Sequence, residues 1–104
     1  MLVVLTTVPN VDEGETLAEA IVNAKLAACV QILPPMTSVY VWEGKLLKEA
    51  EHLLLIKTLP EKWDELVAFI TANHSYKVPE IVAIDPEKVS GPYLNWLKTV
   101  TNNG

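Results

Sequence analysis

The stretch Ser38-Val-Tyr-Val-Trp-Glu-Gly-Lys-Leu-Leu-Lys-Glu-Ala-Glu-His-Leu-Leu-Leu-Ile-Lys-Thr58 reads as two long strands joined by a tight Glu43-Gly44 turn. Its second arm, residues 45–58, extends to about 46 Å at about 3.3 Å per residue, where strands of about five or six residues are usual. A hairpin of that length outruns its own domain. A long apolar strand edge left bare invites uncontrolled pairing, so other copies of the chain are expected to cover it, and the subunit interface is expected to be central to function. The competing expectation is a break at Glu49-Ala50, or a bulge that coils the arm back.

Outward from the hairpin, residues 2–5 form a short apolar run suited to a strand buried on both faces, which Thr6-Thr-Val-Pro-Asn10 ends. A helix is signalled from Asp12: acidic residues favour its N-terminal end, and Leu17, Ala20, Ile21, Ala24 and Ala28 share one stripe. Residues 29–33 resume extended structure until Pro34-Pro35, which cannot donate ladder hydrogen bonds. Thr58-Leu-Pro-Glu61 has the capping-box pattern and opens a second helix with Trp63, Leu66, Val67 and Ile70 on its apolar face. Residues 74–79 are irregular, residues 81–84 read as another short buried strand, and Ser90-Gly-Pro-Tyr begins a helix through Leu97, after which residues 101–104 fray.

The order β-α-β-β-α-β plus a terminal helix predicts an α+β, ferredoxin-like fold: one antiparallel sheet with both main helices on one face. Residues 1–104 form a single domain, too short to hold a separate substrate domain. No apolar run approaches the roughly 20 residues of a membrane span, and the start lacks a signal-peptide pattern, so a cytoplasmic protein is expected. The net charge of −5, with scattered lysines and no arginine, argues against nucleic acid as a partner. The single Cys29 excludes an internal disulfide and reads first as a small buried hydrophobe.

Gly-rich phosphate loops, zinc-protease motifs and nucleophile elbows are missing, so no catalytic turnover and no organic cofactor are expected. Glu49 and Glu51 are two apart on a strand and share a face, with His52 on the other. Such a pair suits acid–base work or hard oxygen ligation, although exposed glutamates more often solvate a strand. His74 follows a helix, where an imidazole can satisfy terminal carbonyls or bind a transition metal. It has no neighbouring second ligand in sequence, so any metal site must be assembled by folding or across subunits. Tyr40, Trp42, Trp63, Tyr93 and Trp96 read as core or interface anchors, or as the lining of a pocket between subunits in which Lys57 either holds a carboxylate or phosphate or simply snorkels to solvent.

Leu26-Ala-Ala-Cys-Val30, Ser38-Val-Tyr-Val-Trp-Glu-Gly-Lys45, Glu49 with Glu51, Ile56-Lys-Thr58, His74-Ser-Tyr-Lys-Val-Pro-Glu80 and Tyr93-Leu-Asn-Trp-Leu97 occur in this order and spacing. Together they resemble the CutA family of divalent-ion tolerance proteins. The resemblance implies a ferredoxin-like subunit in a homotrimer built through the long hairpins, similar in architecture to PII signalling proteins, with copper or another divalent cation as ligand. By motif it implies Cys29, Glu49 and His74 as metal contacts, and Trp42, Lys57, Tyr76 and Pro79 in a cleft between subunits. An alternative function under the same resemblance is a small-molecule sensor that takes an anionic metabolite in that cleft; another is a structural trimeric scaffold. The chain departs from the family pattern at Thr6, Asn73 and Ser75, where a Cys, a second His and a Pro stand in other members. A copper site that needs those soft ligands would be incomplete.

Overall fold

Strand β1 (Leu2–Val8) opens the chain in the computed structural model, which describes residues 1–102. The strand runs past residue 5, because Thr6 and Thr7 continue its ladder: Leu2 to Val8 pair in register with Thr58 to His52. Burial also differs from the expectation for a strand enclosed on both sides. Val4, Thr6 and Val8 are wholly buried on one face, while Val3 and Leu5 on the other are only partly so.

Helix α1 (Val11–Asn23) starts one residue before Asp12, capped by Asn10, whose side-chain oxygen accepts from the Glu13 backbone N–H at 2.8 Å. Its buried stripe is Gly14, Leu17, Ala18 and Ile21, and Ala24 lies exposed at the helix end. A Cβ on Gly14 would sit 3.1 Å from a Val8 methyl, so glycine there permits the close approach of helix to strand.

Strands β2 (Cys29–Ile32) and β3 (Met36–Trp42) lie end to end along one edge of the uninterrupted β4 (Lys45–Thr58), separated by Pro34-Pro35. Neither the break at Glu49-Ala50 nor a coiling bulge occurs. On the other edge of β4, β1 pairs only as far out as His52, so residues 45–51 have a strand on one side alone. The β3–β4 turn has positive φ at both Glu43 (52°) and Gly44 (78°), the signature of a two-residue primed turn.

A short 3-10 turn (Pro60–Lys62) leads into α2 (Trp63–Asn73). The capping box does not form, since the Thr58 hydroxyl instead donates to the Leu26 carbonyl at 2.6 Å, buried inside the fold. Among the described residues strand β5 (Val82–Ile84) pairs only with β1 and is a sheet edge; contrary to the expected burial, Val82 and Ile84 are about half exposed, at 48% and 50%. Helix α3 (Gly91–Thr101) is capped by Ser90, packs against β4 and outlasts the expected end at Leu97. Thr101, expected to fray, is buried, and residues 103–104 lie outside the described residues.

The sheet order β2-β4-β1-β5, with β3 prolonging β2, is the ferredoxin-like arrangement with an added hairpin. Val4, Val8, Leu54 and Ile56 from one sheet face meet Leu17 and Ile21 of α1 and Leu66 and Ile70 of α2 in a single core. The core includes no residue of the β3–β4 hairpin beyond His52.

Candidate functional site

Alternation along β4 and its register with β3 and β2 decide which side chains share the face away from α1 and α2. That face carries Lys45, Leu47, Glu49, Glu51, Leu53, Leu55 and Lys57 of β4, with Trp42, Tyr40 and Ser38 of β3 and Cys29 of β2 beside them. His52 points to the other face and its Nδ1 bonds the Leu33 carbonyl at 2.9 Å, as the two-residue period requires.

Glu51 is buried, at 6% exposure, and accepts a 2.7 Å hydrogen bond from the Tyr76 hydroxyl. Tyr76 is thereby fixed over the hairpin base. Desolvation pushes its phenol well above the ordinary 10.0, and the hydrogen bond to Glu51 and the charges of Glu51 and Glu49 raise it further. Tyr40 shifts the same way, first through loss of solvent and then through Glu49 and Glu51. Two carboxylates and two phenols therefore gather where no lysine comes within ion-pairing distance among the described residues.

The His74 side chain is fully buried and both its ring nitrogens are engaged. The Tyr76 backbone N–H, which can only donate, gives a 2.9 Å bond to Nδ1, so Nε2 carries the proton and donates to the Thr7 carbonyl at 2.6 Å. The ring lies 4.7 Å from that of Tyr76, centre to centre. Glu13 Oε2 stands 3.7 Å from Nδ1 and accepts from the Ser75 hydroxyl at 2.8 Å and, more weakly, from its N–H at 3.3 Å. His74, the residue that ends α2, thus ties the following loop to β1 through its ring and does not bond the helix's terminal carbonyls, while the Asn73 side chain donates to the Phe69 carbonyl. Sequence reading missed Glu13, Thr7 and Ser75 in this network; Ser75 offered a signal, because proline at that position has no N–H to give.

Within one chain His74, Tyr76 and Glu49 lie about the hairpin base, but the candidate residues do not all converge. Cys29, partly buried on an edge strand, opposes Lys57, whereas Glu49 opposes Ser38 eight residues up β4, about 26 Å away. Trp42, 43% exposed, stands at the hairpin tip about 40 Å from Lys57. Pro79, partly buried, stays in the loop with Tyr76. Among the described residues no three His, Cys, Asp or Glu side chains are grouped to hold a metal ion, and with both nitrogens of His74 occupied, one chain alone does not fit such a site. A surface hollow of about 470 Å³ between Ala24, Leu26, Phe69 and Ala72 includes none of the candidates.

Comparison with known proteins bears directly on this arrangement. The family described as CutA1 divalent ion tolerance protein matches residues 2–100. The chain belongs to that family. Among CutA relatives, the Arabidopsis thaliana protein CutA, named as chloroplastic, is 48% identical over 98% of this chain, which spans 56% of that protein's length. The solved CutA1 structure from Thermus thermophilus superposes with a TM-score of 0.93 at 43% identity, covering 98% of this chain and all of that one. A CutA from Archaeoglobus fulgidus, described as periplasmic, gives 0.93 at 35% identity, over 98% of this chain and 100% of its own. No helix among the described residues is long and apolar enough to cross a membrane.

Proposed function

We propose that this CutA-family chain serves divalent-cation tolerance as a cytoplasmic homotrimer, a binding protein that holds copper or a similar cation between its copies. The observation that carries the reading is the bare hairpin. Val39, Val41 and Leu46 are 57–68% exposed on the outer part of the hairpin, which adds nothing to the core of its own chain, and burial against further copies accounts for their apolar character. Family membership supports the cation part. Cys29 and Glu49 lie on one sheet face but far apart, so a site using both draws on two chains. His74 joins such a site only by giving up one of its two hydrogen bonds.

The test is a copper and zinc titration followed by native mass spectrometry, on the parent protein and on Cys29→Ser, Glu49→Gln and His74→Ala. Saturating uptake at a fixed number of ions per three chains, weakened in Cys29→Ser and Glu49→Gln, is expected. Weak, nonsaturating uptake by an intact trimer defeats the metal part, and a monomer in sedimentation equilibrium at micromolar concentration defeats the trimer.

A further inference from the structure

Glu51 presents an electrostatic imbalance that its own chain does not resolve. The residue is nine-tenths buried, receives one phenolic hydrogen bond and has Glu49 two residues away on the same face. Among the described residues the one close contact between a basic group and a carboxylate is that of His74 with Glu13, on the other side of Tyr76. Buried carboxylates are ordinarily matched by a cation, because desolvation without a partner is costly.

The complementary imbalance sits on the same face of the same strand. Lys57 is partly buried, opposes Cys29 and has no carboxylate partner among the described residues, while the other β4 lysines, Lys45 and Lys48, are exposed near the hairpin tip. Lys57 stands six positions along β4 from Glu51, about 20 Å of strand, beyond the combined reach of the two side chains. The apolar side chains between and beside them, Leu53 and Leu55 with Val82 and Ile84 of β5, are left partly or half exposed.

We propose that Lys57 of one copy pairs with Glu51 of the next, so that each copy supplies the cation its neighbour's buried carboxylate lacks. This rests on the homotrimer reading and specifies its contact. Every copy carries both halves of the pair, displaced along β4, so a head-to-tail contact repeated by rotation closes a ring with each Glu51 and each Lys57 used once. Tyr76 then acts as a positioning residue: its hydroxyl orients the Glu51 carboxylate, leaving the other oxygen to receive the ammonium. The occupant of this face is a second copy of the chain, selected by charge as well as by apolar area.

Subunit exchange tests the pairing. Nitrogen-15-labelled and unlabelled trimers are mixed, and the appearance of mixed trimers is followed by native mass spectrometry. Lys57→Met and Glu51→Gln are each expected to speed exchange about tenfold or more, and the double variant to exchange no faster than the faster single. Singles at the parent rate, or effects that multiply in the double variant, overturn the pairing. Should Glu51→Gln not fold, the Lys57 series decides alone: Lys57→Arg keeps the parent rate, and Lys57→Glu exchanges faster than Lys57→Met because it faces a carboxylate. Equal rates for Lys57→Glu and Lys57→Met overturn the proposal. A parent protein that does not sediment as three chains removes the homotrimer reading itself, whereas a parent trimer indifferent to Lys57 removes only this contact.

Discussion

Thr6 is wholly buried on the core face of β1, opposite Leu54, and its hydroxyl has no hydrogen-bond partner among the described residues. Burying an unpaired hydroxyl costs about 1–3 kcal/mol, and valine has the same shape without that cost. Thr6→Val should therefore stabilise the fold by about 1 kcal/mol, read as a higher guanidinium midpoint at unchanged slope. Tyr76 offers a pH test. Its folded-state pKa is raised, so its contribution is complete below the ordinary value of 10.0 and is lost as pH climbs above it, where the unfolded phenol ionises first. Denaturation at pH 9 and pH 10.5 should show the parent losing more stability over that interval than Tyr76→Phe; equal losses would mean that burial and the Glu51 contact do not hold the phenol protonated. The period of two made the shared face of Glu49 and Glu51 legible in advance. The surroundings of His74 were not, because its partner Thr7 lies 67 residues away and the Ser75–Glu13 contact spans 62 residues. Local spacing alone suggested a helix cap or a metal ligand, and tertiary contacts instead took both nitrogens.

Among the elements, the hairpin was the most legible, since its length and its turn can be read without knowing what it packs against. The turn itself is a sharp test. Gly44 has φ 78°, and a Cβ added there would meet open space, so the cost of Gly44→Val is backbone strain and not a clash. That cost is expected to be about 1–2 kcal/mol, seen in the same denaturation assay, while Glu43→Asn, which eases φ 52° at the preceding position, should be neutral or stabilising. Elsewhere local pattern was outvoted. Thr58 had the sequence of a helix cap, but it is the last residue of β4, and its hydroxyl is claimed by the Leu26 carbonyl 32 residues away. The β5 run looked like a buried strand because apolar composition reports only that a surface avoids water; it does not say whether the cover comes from the same chain.

The whole molecule measures 45 × 26 × 22 Å, and its Cα radius of gyration of 14.3 Å exceeds the roughly 13 Å usual for a chain of this length. Its accessible surface of 6392 Å² likewise exceeds the roughly 5,800 Å² expected for a compact monomer of this mass. Both excesses trace to the β3–β4 hairpin, whose 14-residue β4 matches the long axis at about 46 Å. Since the core of the chain includes no residue between 36 and 51, the outer hairpin should be removable without unfolding the domain. Deleting residues 40–47 and joining Val39 to Lys48 through Asn-Gly keeps the observed Val39–Lys48 pairing and supplies a favourable two-residue turn. The shortened chain is expected to keep its far-ultraviolet dichroism and cooperative unfolding but to associate more weakly than the parent in sedimentation equilibrium, because the exposed Val41 and Leu46 that the proposed trimer covers are gone while Glu51 and Lys57 remain. A shortened chain that associates as tightly as the parent would take residues 40–47 out of the proposed assembly and leave it to the sheet face of Glu51 and Lys57, beside which Val82 and Ile84 are exposed. A shortened chain that unfolds would mean that the hairpin stabilises its own subunit, contrary to the separation between hairpin and core in this fold.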